Sequence, residues 1–330
     1  MPPLPPVATP TVDAIYKQYE LKASDPFRDH LGASLIGTEC KRACWYTFRW
    51  ATKLKFDGRL LRLFQSGFRE EARIVDDLRT AGITVYDRDP ENGKQIQYSS
   101  FGSHFAGSLD AIAQGFPEAP ATWHVLEVKT SNARSFKIMQ SKGVKKAKPQ
   151  HYAQVQTYMH WSNLERAMYI VVNKDTDEIY EERIHYDKAF AEQMEEKANQ
   201  IIFADEPLER IGEKDSFACK FCNHKSICHE GGWAEVNCRT CAFSDVVVDG
   251  KWYCAKYKKD VPSLTQRNGC PAHCFIPALV PLAQIDADAI NYTVTYDGGL
   301  VNGMGHVASK DMGKMMQDGT KRETDITNRN

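Results

Sequence analysis

The chain has 330 residues, of which 42% are hydrophobic, 11% aromatic and 26% charged. This composition is typical of a globular protein and excludes a mostly disordered or collagen-like chain. The 42 Lys and Arg residues and 43 Asp and Glu residues leave a net charge of -1, so overall charge predicts no particular class of partner. The length corresponds to about two domains.

Ten cysteines are present, and whether they form disulfides or bind metal ions depends on the redox state of the compartment. The opening MPPLPPVATP lacks the basic and apolar regions of a secretory signal, and no apolar run is long enough to span a membrane. We therefore expect a cytoplasmic protein with no membrane partner. In a reducing compartment, clustered cysteines are more often metal ligands or catalytic thiols than disulfides.

Apolar periodicity predicts the elements in chain order. Helices are predicted over Val12–Leu21, Ser34–Trp50, Leu60–Thr80, His151–Trp161 and Asp187–Ala204. Strands are predicted over Ile83–Tyr86, Gln95–Tyr98, His104–Ala113, Trp123–Thr130, Ala167–Asn173 and Glu178–Ile184, of which the last two form a hairpin. A cysteine-rich segment and one further strand, Tyr292–Tyr296, follow. The order indicates an α/β fold, and the proline-rich first ten residues and the polar end 318–330 are predicted to be disordered.

An acidic pair is the strongest chemical signal. Glu127 and Lys129 lie on the same face of a predicted strand, because side chains alternate along it. Alone they would be an exposed surface pair. The preceding apolar strand carries Asp110 within Gly107-Ser108-Leu109-Asp110-Ala111. The glycine and prolines between the two strands predict an antiparallel turn that brings Asp110 beside Glu127.

Two close carboxylates repel each other unless a cation neutralises them. Carboxylate oxygens with water are typical ligands of Mg²⁺ or Mn²⁺ in phosphate chemistry. An ammonium group such as that of Lys129 would orient the attacking water and stabilise charge on a phosphoryl oxygen. The residue set therefore favours metal-dependent phosphodiester hydrolysis.

These residues resemble the signature of the PD-(D/E)xK nuclease superfamily. Asp110 and Glu127-Val128-Lys129 match its D…(D/E)xK pattern, with Ser-Leu before the aspartate where the pattern often has proline. The segment 67–72 resembles the helix before the core of lambda-type exonucleases and CRISPR adaptation nucleases, with Glu71 at its acidic position. The segment 152–158 resembles their glutamine-bearing helix, in which Gln154 or Gln156 would enter the site. Gln154 is favoured because it shares a helix face with Tyr158.

The resemblance covers about residues 31–229. It implies a restriction-endonuclease-like core, a central mixed sheet flanked by helices. It also implies that Glu71, Asp110 and Glu127 bind Mg²⁺ or Mn²⁺, that Lys129 assists the water, and that Gln154 or Gln156 positions it.

The implied activity is that of a deoxyribonuclease, an exonuclease that resects linear duplex ends or single strands in recombination or repair. The host would be a bacterial cell or a phage-infected one, and a recombinase, a single-strand-binding protein or a helicase would be a partner. An adaptation-type CRISPR nuclease is the close alternative. A non-catalytic DNA-binding scaffold and a redox-sensing regulator are alternatives of other classes.

A basic run lies between the acidic strand and the glutamine helix. From Lys129 to Trp161 there is no Asp or Glu. The candidate DNA-binding residues are Arg134, Lys137, Lys142, Lys145, Lys146 and Lys148. A loop carrying this charge near the metal site would attract backbone phosphates.

Aromatic residues occur among other basic residues at 45, 46, 48 and 50. They would stack on bases if they were exposed, but their helical spacing is more typical of a core.

The first cysteine group is Cys219-x₂-Cys222-x₅-Cys228. Three thiolates need a fourth ligand from elsewhere, and both Cys40 and Cys44 are available. The arrangement resembles that of iron–sulfur members of the superfamily, the adaptation nucleases and nuclease domains of some helicase–nuclease complexes, in which Cys40-Lys-Arg matches a Cys-x-Arg element. The resemblance implies a structural [4Fe–4S] clamp; from the residues alone, zinc is an equal occupant.

The second cysteine group has no counterpart in the resemblance. Cys238-x₂-Cys241, Cys254 and Cys270 flank a predicted hairpin at Val246–Tyr253, and His273 and Cys274 follow closely. This spacing predicts a zinc-ribbon-like structural site. The predicted segments are a leader (1–30), the nuclease domain (31–230), the zinc module (231–276) and a C-terminal extension (277–330).

Overall fold

A computed structural model describes residues 9–23 and 27–315. The chain divides into two compact units built from separated segments: residues 1–26, 54–98 and 107–194 form unit 1, and residues 27–53, 99–106 and 195–330 form unit 2. The sequence-based division used consecutive segments instead, and it stays a prediction. The predicted disorder at 318–330, and nearly all of that at 1–10, lies outside the described residues.

The helices and strands make a mixed α/β protein. The helices are α1 (Pro10–Lys22), α2 (Lys41–Phe48), α3 (Gly58–Thr80), α4 (Ala133–Ala147), α5 (Pro149–Ser162), α6 (Lys188–Ile202), α7 (Phe217–Lys220), α8 (Lys225–His229) and α9 (Ser263–Gln266). A further helical stretch occupies 309–315. The first strands are β1 (Leu31–Gly32), β2 (Thr84–Tyr86), β3 (Gln97–Ser100), β4 (Phe105–Ser108), β5 (Ala111–Gln114), β6 (Trp123–Ser131), β7 (Arg166–Asn173) and β8 (Ile179–His185). The later strands are β9 (Ser244–Val246), β10 (Trp252–Cys254), β11 (Lys259–Asp260), β12 (Gln284–Asp288), β13 (Thr293–Tyr296) and β14 (Leu300–Gly303).

Unit 1 is built on a five-stranded mixed sheet in the order β2-β5-β6-β7-β8. β6 and β7 are parallel, and the other neighbouring pairs are antiparallel. The parallel pair requires a crossover, which α4 and α5 supply. The predicted hairpin of β7 and β8 is confirmed.

One face of this sheet packs against α3. Leu126 and Val128 of β6 join Ile74 and Val75 of α3 in one buried apolar cluster. The other face of β6 contacts α5. Because side chains alternate along β6, Glu127 and Lys129 lie on the face opposite Leu126 and Val128.

The core of unit 2 holds the aromatic residues of α2. Trp45, Tyr46, Phe48 and Trp50 are buried, so they cannot serve as stacking surfaces for bases. The Arg239 guanidinium lies 3.7 Å from the centre of the Trp50 ring, and the Arg239 residue is 1% exposed. α2 is shorter than the predicted helix because Cys40, in extended backbone, caps it.

The hairpin of β9 and β10 in unit 2 is confirmed. Gly250 forms its turn with a φ of 89°, a conformation that favours glycine. A Cβ at this position would lie 1.8 Å from the carbonyl oxygen of Gly102. A side chain at residue 250 would therefore disrupt the turn.

Three sequence-based interpretations were wrong. The predicted strand His104–Ala113 is interrupted at Leu109 and Asp110 and forms two strands, β4 and β5. There the N–H of Leu109 donates to the carbonyl of Ile96, and the Asp110 side chain accepts from the N–H of Val128. The basic run is a helix, α4, not a loop. The predicted strand Tyr292–Tyr296 is present as β13, but the expectation of only one strand here was wrong, because β12 and β14 pair with it on either side.

In the described part of the chain, every helix is too short or too polar to cross a membrane.

Candidate active site

β6 carries the central acidic residue of unit 1. The Glu127 side chain is fully buried, and its Oε1 forms an ion pair with Nζ of Lys129. Its Oε2 has no hydrogen-bond partner among the residues that the structure describes. A buried carboxylate oxygen without a partner is costly unless a further cation completes its surroundings.

Asp110 lies directly before β5, next to β6. Its Oδ2 accepts a hydrogen bond of 2.8 Å from the backbone N–H of Val128, the residue between Glu127 and Lys129. Burial raises the pKa of Asp110, while Lys129 and this hydrogen bond oppose the rise. The antiparallel pairing of β5 and β6 therefore brings Asp110 beside the Glu-Val-Lys segment, as expected from the sequence.

Glu71 reaches the same group from α3. Burial, followed by the charge of Asp110, raises its pKa to about 7. Burial and the charge of Asp110 also raise the pKa of Glu127 to about 8. The three predicted acidic residues are thus close enough to disfavour each other's ionisation.

Lys129 is the cation of this cluster. Burial lowers its pKa, but the carboxylates of Glu127 and Asp110 outweigh burial and leave the pKa above its ordinary value. The amine therefore stays protonated at neutral pH. It can hold or orient a group, but it cannot accept a proton.

The two candidate glutamines on α5 have different surroundings. Gln156 donates to the carbonyl of His185 at 2.8 Å and accepts from the N–H of Asp187 at 2.8 Å, so it fixes the connection between β8 and α6. Gln154 donates to the Tyr158 hydroxyl at 3.2 Å, and that hydroxyl donates to the carbonyl of Ser108 at 2.8 Å. Ser108 lies two residues before Asp110, so Gln154 is the glutamine on the side of the acidic cluster.

A histidine–tyrosine pair was missed from the sequence. His151 Nδ1 and the Tyr169 hydroxyl share a hydrogen bond of 2.6 Å. Tyr169 pairs in register with Glu127 on the neighbouring strand. Burial, then Lys129 and Lys148, lowers the pKa of His151 to about 4, so it is neutral at pH 7. The spacing of His151 and Gln154 on one helix was visible, but the register of two strands 42 residues apart was not.

α4 displays most of the predicted DNA-binding residues. Asn132 caps the helix, and Phe136, Met139 and Val144 bury one side of it. Glu182 of β8 accepts from the N–H of Val144 at 2.7 Å, just after the backbone leaves helical geometry at Gly143. The exposed basic residues on the other side are Arg134, Lys137, Lys142, Lys145 and Lys146. Lys148, in the link to α5, is half-buried.

The first cysteine group lies within unit 2. Burial raises the pKa of Cys222, and the neighbouring thiols of Cys40, Cys228 and Cys219 also raise it. Cys40 caps α2 by accepting from the N–H of Ala43 at 3.4 Å. Cys44 is buried instead, and its thiol donates to the carbonyl of Leu35 at 3.6 Å. Cys222 influences the pKa of Cys44 as well, so the choice of Cys40 over Cys44 stays a prediction.

All ten cysteines are free thiols. Four of them, Cys238, Cys241, Cys254 and Cys270, line one small cavity in unit 2. As the side chains stand, no group of three or more His, Cys, Asp or Glu residues in 9–23 and 27–315 has the geometry to hold a metal ion. Metal binding at the acidic residues or at either cysteine group would therefore require side chains to move.

No protein-family model matches the chain. A search of curated proteins also finds no match.

Solved structures are similar to part of the chain. The crystal structure of SSO0001 is 16% identical, with a TM-score of 0.38 over 66% of this chain and 96% of that one. An alkaline exonuclease from Laribacter hongkongensis is 17% identical, with a TM-score of 0.37 over 56% of this chain and 90% of that one. The same exonuclease in complex with dAMP is 15% identical, with a TM-score of 0.37 over 57% of this chain and 89% of that one. Similarity at this level leaves the function to be inferred from the residues themselves.

Proposed function

We propose that the chain is a metal-dependent deoxyribonuclease whose site is Glu71, Asp110, Glu127 and Lys129. The observation that carries the proposal is the fully buried Glu127, with Lys129 on one oxygen and no partner on the other among the described residues. A structural ion pair would leave neither a buried oxygen unpartnered nor two more carboxylates beside it.

The donor set fits a hard divalent cation. Three carboxylates against one ammonium leave an excess of negative charge. Burial, and after it the charge of Asp110, raises the pKa of both Glu71 and Glu127. Mg²⁺ or Mn²⁺ prefers oxygen ligands, and it would supply Lewis-acid activation of a phosphate and of a water molecule. Glu127, Asp110 and Glu71 would hold it once Lys129 and Glu127 move apart.

The chain's own residues would do the remaining work. Protonated Lys129 would orient the attacking water and stabilise negative charge on the phosphoryl group. Gln154, fixed by Tyr158, would place a polar group over the same face of the sheet. The resemblance to the PD-(D/E)xK superfamily supports these roles and a restriction-endonuclease-like core.

The resemblance also supports a [4Fe–4S] cluster on Cys40, Cys219, Cys222 and Cys228. These thiols come from the first and last segments of unit 2, and the thiols of Cys40, Cys219 and Cys228 are close enough to Cys222 to raise its pKa. A cluster would join α2 to the segment around α7 and α8. Its role would be structural.

An exonuclease is the form of the activity that we propose, with DNA ends as substrate in recombination or repair. The test is hydrolysis of matched linear and covalently closed circular DNA in the presence of Mg²⁺. We expect linear duplex or single-stranded DNA to be degraded and closed circles to persist. Equal cleavage of both forms would contradict an exonuclease and indicate an endonuclease.

α4 should supply the phosphate contacts. Replacing Lys137, Lys142 and Lys146 together with Ala should weaken DNA binding and reduce the slope of log K against log salt concentration by roughly 2 to 3, since each lost phosphate contact removes about 0.9. The matched control changes Lys94, Lys174 and Lys188 to Ala, which removes the same charge from other exposed positions of unit 1. An equal loss in both triple variants, measured by fluorescence anisotropy at several salt concentrations, would show that α4 is not the path.

A further inference from the structure

Unit 2 contains a cavity of about 20 Å³ whose lining includes four cysteines from three separate stretches of the chain. They are Cys238, Cys241, Cys254 and Cys270. A cavity of this size holds one water-sized particle. Four thiols around a space of this size can together bind one metal ion. A thiol is only a weak hydrogen-bond donor, whereas a thiolate is a good metal ligand.

The other two candidate donors nearby are already occupied. His273 makes hydrogen bonds through both ring nitrogens, at 2.7 Å with the Ser309 hydroxyl and at 3.2 Å with the Thr240 hydroxyl. The Cys274 thiol is buried and lies 3.2 Å from the carbonyl oxygens of Tyr292 and Asn302. Of the four lining cysteines, Cys238 has, among the described residues, only long contacts, of 3.9 and 4.0 Å, to the carbonyl oxygens of Thr265 and Asn268. The donor set is therefore the four lining cysteines, without the histidine or the fifth thiol.

The backbone around the cavity is shaped for a tetrathiolate site. Cys238 begins a 3₁₀ turn that Asn237 caps, and Cys241 follows at the end of that turn. Cys254 ends β10, opposite Ser244 on β9. A CxxC turn combined with a cysteine on a hairpin is a common zinc-binding arrangement.

We propose that these four thiolates bind one structural Zn²⁺ ion. Tetrahedral sulfur coordination suits Zn²⁺, whereas Mg²⁺ and Ca²⁺ prefer oxygen ligands. The thiols face the cavity but must close in to coordinate the ion. This site is independent of the proposed hydrolysis.

The ion would fix the turn that carries Arg239. That guanidinium donates at 3.0 Å to the carbonyls of Phe48 and Asp29 and at 2.8 Å to the side chain of Gln266. Residues 29 and 48 belong to the first segment of unit 2, so zinc would hold the C-terminal segment of that unit against the first one. Loss of zinc should therefore loosen unit 2.

The test is the metal content of the full chain and of three variants, purified without chelator and measured by mass spectrometry of zinc and iron. Cys254→Ser and Cys270→Ser should each carry one zinc fewer per chain than the unsubstituted protein, with unchanged iron. The matched control, Cys274→Ser, should retain its zinc. Unchanged zinc in Cys254→Ser, or loss only in Cys274→Ser, would overturn the proposal.

A measurement on the unsubstituted chain covers the case in which a variant does not fold. Exchange of the bound metal for Co²⁺ should give the intense visible absorption of tetrahedral cobalt–thiolate coordination, which Zn²⁺ then displaces. The site would be contradicted if the intact chain took up no Co²⁺ and held no zinc. It would also be contradicted if the four thiols formed disulfides after purification under reducing conditions.

Discussion

Replacing Glu127 with Gln should lower the rate of DNA hydrolysis on the order of 10³-fold, because a metal ion contributes several kcal/mol to the transition state and about 1.4 kcal/mol is a factor of ten. The same change should stabilise the metal-free chain by about 1–3 kcal/mol at pH 8, since it removes a buried charge that repels Asp110. Opposite effects on activity and on stability distinguish a functional carboxylate from a structural one.

The stability difference should depend on pH with a definite sign. The folded-state pKa of Glu127, about 8, is above its ordinary value of 4.5. Folded protein therefore binds a proton that unfolded protein has released, and the stability contributed by this proton is lost as pH rises towards 8. The stability of the unsubstituted chain in EDTA should fall relative to that of Glu127→Gln between pH 5 and pH 8.

The control for Glu127→Gln is Glu165→Gln, at a side chain of unit 1 that is 81% exposed. It should change neither activity nor the pH dependence of unfolding. If Glu127→Gln hydrolysed DNA at the original rate, or if it were less stable than the original chain at pH 8, Glu127 would not have the role proposed for it.

Replacing Arg239 with Met should destabilise unit 2 by about 3 kcal/mol. The change leaves two buried acceptors, the carbonyl of Phe48 and the side chain of Gln266, without their donor, and each such loss costs about 1–3 kcal/mol. The carbonyl of Asp29, an exposed residue, also loses its donor. Burial lowers the pKa of Arg239 to about 9, so relief of its desolvation offsets part of that cost. Met keeps an apolar stem against Trp50.

Urea unfolding followed by tryptophan fluorescence measures this change, because Trp45, Trp50 and Trp252 are all buried in unit 2. Arg134→Met, at an exposed position of α4, is the matched control and should shift the unfolding free energy by less than about 0.5 kcal/mol. A similarly small shift for Arg239→Met would show that its hydrogen bonds do not stabilise the fold.

The elements around the acidic residues were predictable because their signals are local. β6 alternates apolar and charged residues from Leu126 to Lys129, α3 has one apolar side, and Asp110 and Glu127 are joined by a short antiparallel connection. Chain order and turn residues alone were enough to place them together.

Other features were not predictable because they depend on distant partners. α4 was missed because its basic residues obscure the buried Phe136, Met139 and Val144. β12 was missed because it is short and mostly exposed, and its apolar positions are limited to Ile285 and Ala287. The pairing of Tyr169 with Glu127 depends on the register of a parallel pair, which no local pattern specifies.

The thiol assignments show the same division. Spacing predicts two cysteine sets, and both stay predictions. The hydrogen bonds of Cys44, His273 and Cys274 could not be predicted, because they depend on the tertiary fold.

The most direct test of the central claim is hydrolysis of linear DNA by the unsubstituted chain in EDTA, in Mg²⁺ and in Mn²⁺, beside Asp110→Asn purified in the same way. We predict hydrolysis with Mg²⁺ or Mn²⁺, none in EDTA, and a loss on the order of 10³-fold in Asp110→Asn, which removes one of the proposed ligands. Hydrolysis that persists in EDTA, or that is equal in Asp110→Asn, would contradict a metal-dependent site at these carboxylates.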